Sequence, residues 1–287
     1  METVAEARRW AISELVRLGS EEAATEADWL LAHLLGRRRA ELPLYRHQPL
    51  TRAQQEALRE ALARRSRREP LAYILGTQEF MGLSFLVDAR VLVPRPETEV
   101  LVEQALARWQ PHQTRWTDVG TGSGAVAISL AVHLPTVQVV AVDLSPAALD
   151  VARANARRHG VAGRVHPVAG SLLAPVRPLE AGGGVDGILA NLPYIPSAVV
   201  DTLQPEVSRW EPRRALDGGP DGLDLYRRLF PQVPARLRPG GWILCEFGPG
   251  QAEAMRQLAR QTPGLGGVEI VLDYSGHERI LVAQRQA

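Results

Sequence analysis

Asp118-Val-Gly-Thr-Gly-Ser-Gly124 stands between an apolar run, Thr114 to Val119, and the apolar helical pattern Ala125 to Val132. A strand that enters a glycine-rich turn and leaves as a helix is the first unit of an open α/β sheet, whose ligands lie at the carboxyl ends of the strands. Outward from this loop the pattern repeats. Strands are predicted near Val137 to Val142, Arg164 to Val168, Gly187 to Ala190 and Trp242 to Glu246, with helical segments between them. This alternation implies a mostly parallel, Rossmann-like sheet covered by helices on both faces. Val268 to Asp273 and Arg279 to Gln284, around Tyr274-Ser-Gly-His277, predict an antiparallel hairpin at one edge.

Upstream, helical spacing dominates. Ala7, Ala11, Leu15 and Leu18 share one face, and Ala27, Leu30, Leu31, Leu34 and Leu35 share another after Ser20, a candidate N-cap. Thr51 with Gln54 fits a capping box for a third helix burying Leu58 and Leu62. The expected organisation is a helical domain over 1–75, a hairpin linker over 76–95 and an α/β domain over 96–287. The arginine runs 37–39 and 64–68 lie near helix ends, where the macrodipole favours cations, and are expected to be mainly solvated.

Composition bounds the function. The 287 residues are 45% hydrophobic and 23% charged, as in an ordinary globular protein, and no stretch reaches the about eighteen apolar residues of a membrane span. The first thirty residues carry Glu2, Glu6, Arg8 and Arg9 instead of an apolar signal core, so a cytoplasmic location is expected. The lone Cys245 excludes a disulfide framework and a cysteine zinc cluster, and no metal is expected. A net charge of +1 speaks against a broad nucleic-acid-binding surface. Lysine is absent, which rules out a lysine base or Schiff base. Asparagine occurs only as Asn155 and Asn191, and its use in a turn before Pro193 suggests that the amide itself is needed.

Nicotinamide and flavin cofactors also use glycine-rich loops, but they place a pyrophosphate on the helix N-terminus. A carboxylate at Asp118 opposes that anion and suits the cations of S-adenosylmethionine. Gly120, Thr121, Gly122, Ser123 and Gly124 would cradle that ligand. Asp143, ending the second strand, would take its ribose hydroxyls, with Leu144 beside it; Ser171 and Leu172, after the third strand, would face adenine. The fourth strand runs into Asn191-Leu-Pro-Tyr194, next to the cofactor strand. A delocalised amide or amine nitrogen needs alignment and acceptors for its N–H groups; the Asn191 oxygen and a backbone carbonyl of the Pro193 turn would serve, with Tyr194 as a flat wall.

The chain resembles the release factor glutamine N5-methyltransferases. The resemblance covers nearly the whole chain and includes Val93-Pro-Arg-Pro-Glu-Thr-Glu99 and, most specifically, Glu211 to Tyr226. It implies S-adenosylmethionine as methyl donor and, as partner, peptide chain release factors, with the glutamine of their Gly-Gly-Gln motif as acceptor and no direct need for nucleic acid. It implies that Gly120 to Gly124, Asp143, Leu172 and Asn191 contact the cofactor, that Asn191, Leu192, Pro193 and Tyr194 hold the glutamine, and that Arg95 and Glu97 line the site. The helical domain is expected to recognise the substrate protein. Leu192 stands where the family usually has a proline, and a carboxylate often found around Gly170-Ser171 is absent. Asn-Leu-Pro-Tyr also occurs in ribosomal RNA adenine dimethyltransferases, which keeps that alternative open, although their domain order is the reverse. A noncatalytic cofactor-binding module is the third reading, and it gains nothing from an acceptor turn.

Overall fold

The structure, a computed structural model, describes residues 3–286. Its helices are α1 (Val4–Arg17), α2 (Ala23–Leu35), α3 (Arg52–Ser66), α4 (Leu71–Leu75), α5 (Pro96–Arg108), α6 (Ala125–His133), α7 (Pro146–Arg158), α8 (Ser197–Val200), α9 (Pro205–Ser208), α10 (Asp224–Leu229) and α11 (Ala252–Gln261). Its strands are β1 (Thr77–Phe80), β2 (Leu83–Leu86), β3 (Arg115–Val119), β4 (Gln138–Asp143), β5 (Val165–Ala169), β6 (Val185–Asn191), β7 (Leu237–Glu246), β8 (Leu265–Leu272) and β9 (Glu278–Arg285).

Two compact units form: Met1–Gly76 with Gln204–Trp210, and Thr77–Leu203 with Glu211–Ala287. In the first, reciprocal capping boxes start α1 at Thr3 with Glu6 and α3 at Thr51 with Gln54, so two backbone amides at the start of each helix are satisfied. Ser20 does not cap α2. Its hydroxyl donates to Glu26 (2.9 Å), and α2 opens after Glu22 with no side-chain cap. The apolar faces read from the sequence meet in one core: Ala7, Ala11 and Leu15 with Ala27, Leu30, Leu31, Leu58 and Leu62.

Two features depart from the sequence reading. Residues 204–210 pack with the helical unit because Glu206 accepts from Arg65 (2.7 Å) and Arg68 (2.8 Å), and the Trp210 indole donates to the Arg67 carbonyl (3.2 Å). Arg65 also grips Glu26 and its side chain is only 11% exposed, so it is a largely buried clasp and not a solvated charge. The hairpin β1–β2, expected to be a linker, belongs to the α/β unit. Phe80 and Phe85 enter its core, and buried Asn155 of α7 accepts from the Leu86 N–H (2.7 Å) while donating to the carbonyls of Leu86 (3.0 Å) and Ser123 (2.9 Å).

Asn155 thus ties the hairpin to the glycine loop. Replacing it by alanine strands buried backbone groups at about 1–3 kcal/mol each. Asn155→Ala is expected to lower stability by about 3 kcal/mol, read as a shift in the urea midpoint; an unchanged midpoint would remove the tie.

The seven-stranded sheet has the order β5-β4-β3-β6-β7-β9-β8. The first five of these are mutually parallel, whereas β9 runs antiparallel to both β7 and β8. Side chains alternate between faces as the pleat requires. Leu189 and Leu244 join Trp116 in one core with α5 and α6, while Ile188, Ala190, Ile243 and Cys245 join Tyr226 and Met255 of α10 and α11 in the other. Cys245 is buried in this second core, which pushes its thiol pKa up and leaves it unreactive. The parallel register brings the ends of β3, β4, β6 and β7 to one edge, and with them Gly120, Asp143, Asn191 and Glu246. Among the described residues no helix is long and apolar enough to cross a membrane.

Candidate active site

At this edge a cleft opens, lined by Gly120, Gly122, Asp143, Leu144, Ser171, Leu172, Asn191, Leu192 and Pro193. Of the other residues singled out from the sequence, Asp118, Thr121, Ser123 and Gly124 belong to the loop but do not line the cleft, and neither do Tyr194, Arg95 and Glu97.

Asp118 is fully buried. Its Oδ2 accepts from the Thr121 hydroxyl (2.6 Å) and from the Ala127 N–H (3.2 Å) in the first turn of α6. The carboxyl therefore braces the loop from within and occupies a helix N-terminal amide that a pyrophosphate would otherwise use. Burial pushes its pKa up to about 7, against the pull of these two hydrogen bonds. Asp118 thus supports the loop from outside the cleft lining.

Asp143 does face the cleft. Its Oδ2 accepts from the Gly122 N–H (2.9 Å) and its Oδ1 from the Ser145 N–H (2.8 Å), which holds the carboxylate across the mouth of the loop. Gly120 adopts φ +79° and lies so close to the acceptor turn that a Cβ would sit 3.2 Å from the Asn191 carbonyl and 3.1 Å from the Leu192 side chain. Loop and turn are therefore in contact with no room for a side chain between them. Leu172 holds φ +51°, an uncommon conformation for a branched residue, on the cleft wall.

The acceptor turn is built by residues that no short motif revealed. The Leu192 N–H donates to the Tyr226 hydroxyl (3.2 Å), which itself donates to the Glu246 carbonyl. A proline at 192 would lack that donor, so leucine gains a tether where it loses stiffness. The Tyr194 carbonyl accepts from Gln251 Nε2 (2.8 Å), and the Tyr194 hydroxyl donates to Glu246 Oε1 (3.1 Å). Gly222, at φ +83°, approaches so closely that a Cβ would fall 2.0 Å from the Tyr194 carbonyl oxygen. The stretch Glu211 to Tyr226 is thus the scaffold of the turn. Residues 195 and 216–218 are stitched together by Ile195 N–H to the Leu216 carbonyl (3.0 Å) and Gly218 N–H to the Ile195 carbonyl (2.9 Å).

Arg95 points elsewhere than expected. Its guanidinium is bound to Glu211, which also accepts from the Val93 N–H (3.1 Å), so this pair fastens the Val93 to Glu99 segment to the scaffold. Burial raises the Glu211 pKa while Arg95 opposes the rise. Glu97 is half-buried in the first turn of α5. Its neighbour Thr98 accepts from Asn191 Nδ2 (3.0 Å), leaving Asn191 Oδ1 without a hydrogen bond among the described residues.

A model of the PrmC N-terminal domain matches residues 6–76, and a model of a methyltransferase domain matches residues 117–210. A release factor glutamine methyltransferase of Geobacter sulfurreducens is 45% identical over 97% of this chain and 95% of its own length. The chain belongs to the release factor glutamine methyltransferase family. A second member, from Moorella thermoacetica, is 43% identical over 99% of both chains. The fold is shared more widely: a methyltransferase from Pyrococcus furiosus matches with a TM-score of 0.53 at 16% identity, over 83% of this chain and 100% of that one. Leu192 is accordingly a variation within the glutamine methyltransferase family.

Proposed function

We propose that this chain transfers the methyl group of S-adenosylmethionine to the side-chain amide nitrogen (N5) of the glutamine in the Gly-Gly-Gln motif of peptide chain release factors, in the cytoplasm where translation terminates. The observation that carries the reading is the Asn191 amide, held by Thr98 through Nδ2 and offering a free Oδ1 beside the glycine loop.

The residues present fit the cofactor. Val119, Leu144, Ala148 and Leu172 provide apolar walls for a flat base, Asp143 provides a carboxylate for two hydroxyls, and the amide of Ala127 is already taken by Asp118. When bound, S-adenosylmethionine supplies a methyl group made electrophilic by its sulfonium. The protein's part is alignment. Asn191 Oδ1 accepts one N–H of the glutamine amide, which holds the nitrogen in line and draws electron density onto it. A carbonyl of the Pro193 turn takes the other N–H, and Tyr194, fixed at both its carbonyl and its hydroxyl, bounds the planar group.

Incubation with labelled cofactor and either a purified release factor or ribosomal RNA, followed by mapping, should place the label on the Gly-Gly-Gln glutamine. Label in RNA would overturn the choice of substrate. Asp143→Ala should weaken cofactor binding by at least about tenfold, since a charge-assisted hydrogen bond contributes about 1.5–3 kcal/mol. Calorimetry giving an unchanged affinity would take this carboxylate out of the site.

A further inference from the structure

The ladder between β6 and β7 ends at the pair Asn191 and Glu246. One residue further, the Tyr226 hydroxyl of α10 stands between the two chains: it accepts from the Leu192 N–H (3.2 Å) and donates to the Glu246 carbonyl. Tyr226 and Leu192 are both buried, where an unpaired polar group is costly. Burial also holds the Tyr226 pKa well above its ordinary value, so the hydroxyl keeps its one proton. With that proton committed to the Glu246 carbonyl, the oxygen is left to accept, and the Leu192 N–H is its donor.

No peptide bond among the described residues is cis, so the bond joining Asn191 to Leu192 is a rigid plane with its N–H and its C=O on opposite edges. Tyr226 holds the N–H edge. The C=O edge lies against the glycine loop, where a Cβ on Gly120 would sit 3.2 Å from the Asn191 carbonyl oxygen. One plane therefore reaches from the buried hydroxyl to the loop on the cleft wall, and the Asn191 Cα is one of its corners. Tilting the plane would carry the Asn191 side chain and the loop contact with it. Methyl transfer is an in-line displacement, and misplacement by about 1 Å can cost such a reaction about 10²-fold in rate.

We propose that Tyr226 is a positioning residue for methyl transfer: its hydroxyl fixes the peptide plane between Asn191 and Leu192, and through it the placement of the Asn191 acceptor against the glycine loop. The inference rests on the acceptor role given to Asn191 above, and it involves no bond change. It makes residues 192 and 226 a coupled pair. Leucine at 192 presents an N–H for the hydroxyl to hold, whereas a proline has none and fixes φ through its ring. The hydroxyl governs the turn through Leu192, and a proline there removes the point on which it acts.

The test measures Tyr226→Phe in two backgrounds, wild type and Leu192→Pro, with a release factor as substrate. A proline is compatible with the backbone at 192, because Leu192 precedes Pro193 and Asn191 ends a strand, so both are already extended. With leucine at 192, Tyr226→Phe should lower kcat about tenfold while cofactor affinity by calorimetry stays within about threefold. With proline at 192, the same substitution should lower kcat by less than about threefold. Assays run well below each melting temperature separate this from stability, since a tyrosine that merely packs would lower the melting point without changing kcat. Amide hydrogen exchange adds a reading that needs no variant at 192: the Leu192 N–H should be protected by at least about 10²-fold in wild type and by about tenfold less in Tyr226→Phe. Wild-type kcat in Tyr226→Phe, equal losses in the two backgrounds, or an unprotected Leu192 N–H in wild type overturns the proposal; the first and third criteria stand even where Leu192→Pro does not fold. A wild-type protein that methylates no glutamine removes the acceptor reading itself, whereas an active wild type with an indifferent Tyr226→Phe removes this proposal alone.

Discussion

Asn191→Ala is expected to lower methyl transfer to glutamine by about 10²–10³-fold while leaving cofactor affinity within about threefold, because removing one preorganised hydrogen-bonding group from a reacting centre costs about 2.7–4 kcal/mol. The substitution keeps the backbone pairing of Asn191 with Glu246, so the edge of the sheet should stay in place. It removes the Oδ1 acceptor and the Nδ2 donor together and leaves the Thr98 hydroxyl oxygen without its partner. Single-turnover assays with calorimetry on the same preparation separate the two quantities. Full turnover in the variant would sink the acceptor assignment, and lost cofactor binding would relocate Asn191 from the acceptor to the cofactor. Asn191→Asp is informative beside it. Aspartate keeps an acceptor oxygen but loses the N–H that Thr98 requires, and it brings a second carboxyl next to Glu246, where like charges oppose one another.

Glu211→Ala should be the most damaging of these substitutions for stability. Glu211 is 5% exposed and accepts from the Val93 N–H and the Arg95 guanidinium. Without it, a buried N–H and a partly buried cation lose their partner. Breaking such a pair costs about 3 kcal/mol or more, which for a unit of this size is a fall in melting temperature of about 6–12 °C. Scanning calorimetry reads it directly, and a shift under about 2 °C would show that the pair is incidental. Since the Glu211 to Tyr226 scaffold also holds the acceptor turn, turnover should fall with stability. Glu211→Gln retains an acceptor for Val93 and should be milder in both.

The local elements were legible because each rests on a local cause. The strands β3 to β7, the edge hairpin β8–β9 and the glycine loop follow from short-range periodicity and from glycine's freedom at Gly120. The Thr51 capping box needs only a spacing of three residues. Ser20 misled because a serine before an apolar pattern resembles a cap whether or not its hydroxyl is claimed by another side chain, here Glu26. The arginine run 64–68 misled for a similar reason. The partner that buries Arg65, Glu206, lies far along the chain, and no window of sequence contains both.

At the site the division is sharper. By itself the sequence determined a glycine loop that carries a carboxylate and an apolar strand that ends in Asn191, and residue types decide which ligand such a loop favours; the pairing of β3 with β6 is what sets them side by side. The sequence could not decide the direction in which any side chain points. Asp118 turns inward to Thr121 and Ala127, Arg95 turns to Glu211, and the Leu192 N–H finds Tyr226. For Arg95 and Leu192 hydrogen bonds between residues tens of positions apart make these choices, and for Asp118 the folded loop brings its partners inward, in a core where an unpaired polar group is costly. The free oxygen of Asn191 is the clearest case. The residue was read from the sequence, but its orientation depends on Thr98, which only the packing of α5 against the end of β6 brings to it.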